Sequence, residues 1–450
     1  MIDIRLIREN PEAVKENIKK KFQEEKLPLV DEVLKLDEAW RTLKSEGDSL
    51  RSERNKVSED INKEKKSGKD VSALIEKAKT FPKLIAEIEE ESKRLEEEIK
   101  RIMLQIPNII HSSVPLGKDA TFNCEMKKIG TPKKKDFTPK NHIELGEALG
   151  VLDCDTSAAV AGKGFYYMRG KLAELNMALI NFARDYMVSE GFEYTEPPLM
   201  IRKEILTGVY SNAEIEAMAY KVEGEDLYLI ATSEHPLIGQ FINRIVPSKE
   251  LPVKQTAYSM CFRREIGSHG IGEKGLYRTH QFNKQEMIVI CEPEDSYGWY
   301  DKMLNYTLHI FKELEFPIRV IECCSGDLAD LKTKSCDVEA WSPVQEKYFE
   351  VASLTNMEEA QARRLNIRIE GKGKLYYAHT LNNTVIATSR ALVAIMENHQ
   401  QVNGSIKIPK ALQKYTGFEE ITPINALIGE IKPEKAEKPA KPEKKVKSKK

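Results

Sequence analysis

The chain has 450 residues, 41% hydrophobic and 31% charged, so it can bury a large core divided over two or three domains. No apolar run approaches the ~20 residues needed to cross a bilayer, and the N-terminus MIDIRLIRENPEAVKENIKKK is too polar for a secretory signal, so a cytoplasmic protein without a membrane partner is expected. The formal net charge of −1 excludes nucleic-acid binding through bulk positive charge, and any such contact must use local patches.

Seven cysteines (124, 154, 261, 291, 323, 324 and 336), odd in number and without a CxxC pair, predict reduced thiols. The first element is a small helical cap over residues 4–21, ahead of Leu27-Pro28.

Residues 29–106 predict two long helices. Leu29, Val33, Leu36, Trp40, Leu43, Gly47, Leu50, Arg54, Val57 and Ile61 alternate in steps of four and three. Leu74, Ala78, Phe81, Ile85, Ile88, Ser92, Leu95, Ile99, Ile102 and Ile106 do the same. A sustained 3.5-residue repeat marks a supercoiled seam, and Gly68 in the short polar break between the helices predicts an antiparallel hairpin about 50 Å long. Gly47, Arg54 and Ser92 are expected to weaken the seam, and Pro82 to interrupt the second helix. Such a rod is a lever or a dimerisation coiled coil. Its distal Arg51, Arg54, Lys56, Lys63, Lys65, Lys66 and Lys69 suit phosphate contact, while the interleaved acids also suit a solvated face. The expected division is 1–110 for the helical domain, 111–142 for a Pro- and Lys-containing connector, 143–422 for the body and 423–450 for a tail.

In the body, helical spacing over 171–190 and 388–400 alternates with short apolar runs at 227–231, 285–291, 318–323 and 349–354. This predicts an α+β domain around an antiparallel sheet. The GxGxxG and GxxxxGK[ST] patterns are absent, so neither a Rossmann nor a P-loop nucleotide site is signalled. The stretch FRREIGSHGIGEKGLYRTHQFNKQE, residues 262–286, suits a nucleotide nonetheless. Arg answers phosphate, an aromatic face answers the base, and Gly lets the backbone approach. The tail from Lys432 to Lys450 holds nine Lys and three Glu, near +6 against about −7 for the remainder. It is expected to be disordered, and it serves as a solubilising appendage or as a non-specific phosphate contact.

These motifs carry a resemblance. GFEYTEPPL, residues 191–199, resembles motif 1 of the class II aminoacyl-tRNA synthetases, a segment of the dimer interface. Phe262-Arg263-Arg264-Glu265 followed by Arg278-Thr279-His280-Gln281-Phe282 resembles motif 2, and residues 381–397 resemble motif 3. Thr232-Ser233-Glu234, Glu286, residues 349–353 with the following Gln361-Ala362-Arg363-Arg364, and the two-helix arm are similar to the seryl-tRNA synthetase family in particular. The resemblance covers residues 1–418.

It implies an ATP-dependent, homodimeric ligase that activates L-serine and transfers it to tRNA-Ser, whose long variable arm the hairpin would grip. Selenocysteine tRNA is a further possible substrate. Arg263 and Arg390 are then the catalytic residues, at the α- and γ-phosphates. The ATP site would comprise Arg263, Arg264, Glu265, Thr279, His280, Gln281, Phe282, Glu350, Val351, Ala352, Ser353 and Arg390. Thr232, Ser233, Glu234, Arg263, Glu286, Asn382 and Thr384 would bind serine, and Glu350 with Ser353 would hold Mg²⁺. Asn383, Val385 and Ser389 place motif 3 nearer the archaeal and eukaryotic versions, while Gly272-Glu273-Lys274 departs from the usual Asp-Thr-Arg of the motif 2 loop. The arm and Glu286 imply the zinc-free form. Two alternatives stand beside this reading: a paralogue turned binding module, and a structural coiled-coil protein.

Overall fold

The computed structural model describes residues 1–265, 275–371 and 373–423. The Gly272-Glu273-Lys274 step and the basic tail lie outside the described residues.

Two short helices start the chain. In α1 (Ile4–Glu9) the Asp3 side chain accepts from the Arg5 N–H, and in α2 (Pro11–Lys20) the Asn10 side chain accepts from the Ala13 N–H. Pro11 at the first turn of α2 gives up an N–H that would have no helical partner there. Both pack on the root of a hairpin made by α3 (Leu27–Lys66, 40 residues) and α4 (Ser72–Met103, 32 residues). Ile7, Val14, Ile18, Val30, Val33, Ile99, Ile102 and Ile106 form that core. At 1.5 Å per residue α3 is about 60 Å long, somewhat beyond expectation.

The chain reverses at Gly68, whose φ of +72° is open to glycine at little cost. The seam runs as the repeat predicts, with Val57, Phe81, Ile85 and Leu95 buried along it and Arg54 exposed. Two expectations change. Pro82 does not break α4, which runs from Ser72 to Met103 through it with the proline on the exposed side. Gly47 is not a weak point. It is buried, and a Cβ there would lie 3.3 Å from Ile88 Cγ2, so a small residue is what lets the helices approach.

The body is built on eight strands: β1 (Cys124–Ile129), β2 (Glu193–Tyr194), β3 (Val253–Phe262), β4 (Gln281–Cys291), β5 (Ile318–Glu322), β6 (Lys334–Ser342), β7 (Lys347–Glu358) and β8 (His379–Ala387). They form one sheet in the order β1-β5-β6-β7-β8-β4-β3-β2, antiparallel throughout except for the β2–β3 pair. The fold is thus a long helical arm followed by an antiparallel-sheet α+β domain, as the sequence predicts. The strands exceed their apolar runs, since β4 begins at Gln281 and β7 extends to Glu358. Residues 111–142, expected as a connector, carry β1. Its edge position and polar sequence left no apolar signal to read.

Three helices cover one face of the sheet: α5 (Gly170–Ser189), α6 (Ser296–Glu313) and α7 (Thr388–His399). Their Leu172, Leu179, Phe311, Leu392 and Met396 pack with Met287, Val289 and Leu381 of the strands. The alternate β4 residues Ile288 and Ile290 join a second core with Leu237, Ile238 and Leu365. Because side chains alternate along a strand, Phe282, Lys284 and Glu286 share this second face, away from the three helices. Among the described residues, no helix is long and apolar enough to cross a membrane.

Candidate active site

A pocket of about 310 Å³ opens on that second face, lined from β4, β7, β8, the end of β3 and the start of α7. One end is a buried polar cluster. Thr232 Oγ1 donates to Glu286 Oε2 at 3.2 Å and accepts from the Glu234 N–H at 3.3 Å. Gln361 Nε2 donates to Glu234 Oε1 at 3.0 Å. Burial, then repulsion from Glu286, pushes the Glu234 carboxyl up, while Gln361, Lys284 and Asn382 oppose the shift. Lys284 Nζ forms an ion pair with Glu286. Asn382 and Thr384 of β8 complete this end, with Thr384 paired in register to Glu286.

The other end is rich in arginine. The Arg263 guanidinium lies 5.2 Å from the Phe282 ring centroid, its Nε 3.4 Å from the Ala231 carbonyl. Arg390, in the first turn of α7, donates from one NH1 to Glu350 Oε2 at 2.8 Å and to the Glu350 carbonyl at 3.1 Å. Its guanidinium stands 5.0 Å from the Tyr277 ring centroid. Burial, the largest single influence, would raise the Glu350 pKa, but Arg390, Arg263 and Lys332 together outweigh it, and the carboxyl is held below its ordinary value. Glu265, at φ +46°, accepts from Arg278 at 3.2 Å.

Glu350 and Ser353 would face opposite sides of a regular strand, being three apart. The register shifts between β6 and β7, where Val338 pairs with Ala352 but Glu339 pairs with Glu350. Val351 is the extra residue of this bulge, which turns Glu350 and Ser353 to the same pocket. A similar shift at Val385 lets Thr384 and Ala387 both reach it.

Of the sequence-predicted residues, Thr232, Glu234, Arg263, Glu265, Thr279, Phe282, Glu286, Glu350, Val351, Ala352, Ser353, Asn382, Thr384 and Arg390 line the pocket. Four side chains turn elsewhere. Ser233 Oγ donates to the Ala257 carbonyl at 3.2 Å, beneath the floor. Arg264 reaches the Glu216 carbonyl at 3.1 Å. His280 Nδ1 lies between Tyr220 Oη (2.9 Å) and the Arg263 carbonyl (3.0 Å), and Gln281 donates to Met260 Sδ. Sequence reasoning missed Lys284, Tyr277 and Lys332 as lining residues. Lys284 was findable, two places from Glu286 on one strand. Lys332 was not, since it comes from a loop with no local pattern.

That loop ties the pocket to the arm. Ala329, Leu331 and Lys332 form one wall. Lys21 Nζ donates to the Ala329 carbonyl at 2.9 Å, Lys26 pairs with Asp330 at 2.7 Å, and buried Asn108 Nδ2 donates to the Leu331 carbonyl at 3.0 Å.

An antiparallel sheet with an arginine- and carboxylate-lined pocket on one face, together with a match of residues 219–399 to the tRNA synthetase class II core domain (G, H, P, S and T), defines the class II aminoacyl-tRNA synthetase class. Residues 1–110 match the seryl-tRNA synthetase N-terminal domain. Serine–tRNA ligase of Pyrococcus horikoshii is 44% identical over 94% of this chain and 98% of its own, and that of Methanocella arvoryzae is 43% identical over 92% and 98%. The crystal structure of seryl-tRNA synthetase from P. horikoshii complexed with ATP superposes with a TM-score of 0.90 at 44% identity, covering 94% of this chain and 100% of that one. The cytoplasmic serine–tRNA ligase of Naegleria fowleri in complex with AMP gives 0.83 at 32% identity over 94% and 99%. The chain belongs to the seryl-tRNA synthetase family, and it resembles archaeal members as its motif 3 suggests.

Proposed function

We propose that the chain is a serine–tRNA ligase: it activates L-serine with ATP and transfers the seryl group to the 3′ end of tRNA-Ser. The observation that carries this reading is the buried Thr232–Glu286 hydrogen bond. It leaves an acceptor for a substrate hydroxyl at the closed end of a pocket whose open end is cationic.

The serine carboxylate has a pKa near 3.5 and is already ionised, so no general base is needed. Its oxygen bonds to the α-phosphorus of ATP as the bond to the pyrophosphate oxygen breaks. Arg263 offers a planar fork to the α-phosphate and Arg390 to the γ-phosphate end, and Phe282 stacks on the adenine. The ribose 3′-OH of the tRNA then attacks the seryl carbonyl, and AMP leaves.

The donor set suits a hard divalent ion: the Glu350 carboxylate is 43% exposed, and Ser353 lines the same pocket. Glu350 and Ser353 would hold Mg²⁺, which supplies neutralisation of phosphate charge. Thr232 and Glu234 receive the serine ammonium, with Asn382 and Thr384 shaping the pocket. Alanine, lacking the hydroxyl, leaves one acceptor site of Glu286 without its substrate donor, and threonine is excluded by lack of room.

Residues 1–110 serve as the tRNA-binding domain and 143–422 as the catalytic one, in a cytoplasmic homodimer. The arm grips the long variable arm of tRNA-Ser through backbone and 2′-OH contacts, since A-form RNA hides its base edges. The test is serine-dependent ATP–pyrophosphate exchange against threonine, alanine and glycine. Exchange with serine alone, lost in Glu286→Ala, is expected. No exchange with any amino acid would overturn the reading and favour a binding module.

A further inference from the structure

Lys284 is the residue of the amino-acid pocket that neither the motifs nor the proposed chemistry uses. Its side chain is 8% exposed and that of Glu286 3%. Two places apart on β4, they share the pocket face by strand geometry alone, and the ammonium pairs with the carboxylate.

The surroundings give Glu286 little other help. Glu234, 7% exposed, faces it from the 232–234 segment and repels it. Arg263, from the end of β3, is turned to the Ala231 carbonyl and the Phe282 ring. His235 is held neutral by burial, with Lys284 and Arg263 adding to the effect, and burial raises the Cys261 thiol. Thr384 faces Glu286 from β8 and Ala257 from β3, both without charge. Gln361 serves Glu234, not Glu286. Among the described residues, Lys284 is therefore the one cation paired with Glu286.

We propose that Lys284 is a positioning residue for amino-acid selection: its ion pair holds the Glu286 carboxylate turned so that it accepts the substrate hydroxyl. This rests on the serine reading of the pocket. The reason is the cost of a lone buried charge, which far exceeds that of a neutral acid. Without Lys284, Glu286 loses its paired cation, and its carboxylate, left with Thr232 and repelled by Glu234, is free to turn from the substrate hydroxyl. Discrimination against alanine would shrink with it.

The experiment measures ATP–pyrophosphate exchange over about pH 6 to 9 for the wild-type protein, Lys284→Met, Lys284→Arg, Glu286→Gln and the Met/Gln double variant, with serine binding by calorimetry as a second readout. In Lys284→Met, KM for serine should rise roughly 30- to 100-fold, with KM for ATP within about twofold. Its kcat/KM for serine should depend on pH differently from the wild type, because one ammonium of the pocket is gone. Lys284→Arg should restore most of the affinity and the wild-type pH profile. The double variant should be no worse than Glu286→Gln alone, because a neutral amide needs no counter-ion.

A folded Lys284→Met with unchanged KM for serine would overturn the assignment, as would additive losses in the double variant. Equal rises in KM for serine and ATP with an unaltered pH profile would also overturn it, leaving Lys284 a structural residue. If Lys284→Met does not fold, Lys284→Arg and the double variant decide the question. Absence of exchange in the wild-type protein would instead remove the serine reading itself, and this assignment with it.

Discussion

Arg390 and Glu350 are joined across the pocket by one guanidinium nitrogen, which donates to both the side chain and the carbonyl of Glu350. The pair locks an arginine from α7 to the bulge of β7, so two elements distant in sequence present one charge-bearing wall. Replacing Glu350 by Gln keeps the shape but removes the charge that pairs with Arg390 and that is proposed to hold Mg²⁺. Exchange should fall by roughly 100-fold or more, with a higher Mg²⁺ requirement. Because Glu350 sits below its ordinary value, wild-type exchange should not decline on its account until the pH drops below the usual carboxylate range. A magnesium titration of the variant checks both points. Unaltered magnesium dependence would remove Glu350 as a ligand.

Phe282 should be an ATP residue and not a serine residue. Base–aromatic stacking contributes about 1–3 kcal/mol, so Phe282→Ala should raise KM for ATP by about 5- to 150-fold while KM for serine stays put. Steady-state exchange with each substrate varied in turn separates the two. A shift in serine KM alone would move Phe282 out of the base site.

Gly47 should matter to the arm and to nothing else. The contact that a Cβ would make with Ile88 Cγ2, 3.3 Å, is tight but tolerable for alanine. Alanine also gains about 1 kcal/mol of helix propensity over glycine, so Gly47→Ala should be near neutral. Leucine cannot fit without spreading the helices. Gly47→Leu should lower tRNA charging at least ~10-fold and leave pyrophosphate exchange intact. Equal charging by both variants would dissociate the arm's packing from tRNA binding.

Lys21 makes stability depend on alkaline pH. Burial pushes its pKa down to about 8, with Lys26 and Lys332 adding to the shift and Asp330 opposing it. In the unfolded chain the value is about 10.4. Between the two the folded protein binds fewer protons, so on this group's account stability rises with pH across that window. Comparing wild type with Lys21→Met at about pH 7.5 and 9.5, the difference should move toward wild type on the order of 2 kcal/mol at the higher pH. Thermal melts at both values measure it, and parallel shifts would show that Lys21 does not titrate there.

Much of this molecule is written locally. The hairpin follows from two four-three repeats and a glycine, because a helix seam is a matter of spacing along one segment. The motif residues Arg263, Phe282, Glu286 and Arg390 were likewise legible, each marked by its near neighbours in the chain. Placement was not. Two register shifts, at Val351 and Val385, decide which side chains enter the pocket, and a bulge has no signature in the alternation of one strand. Ser233, Arg264, His280 and Gln281 sit inside the motifs yet turn their side chains away, because a neighbouring strand, helix or loop holds a partner for each. The wall at 329–332, held from the arm's root by Lys21, Lys26 and Asn108, joins residues some 220 to 310 places apart. Sequence alone determined the arm, the class of sheet and the family's motifs, since local periodicity and short motifs encode them. Only the tertiary structure decided which groups share a face and which cation stands beside Glu286, because those are set by packing between distant segments.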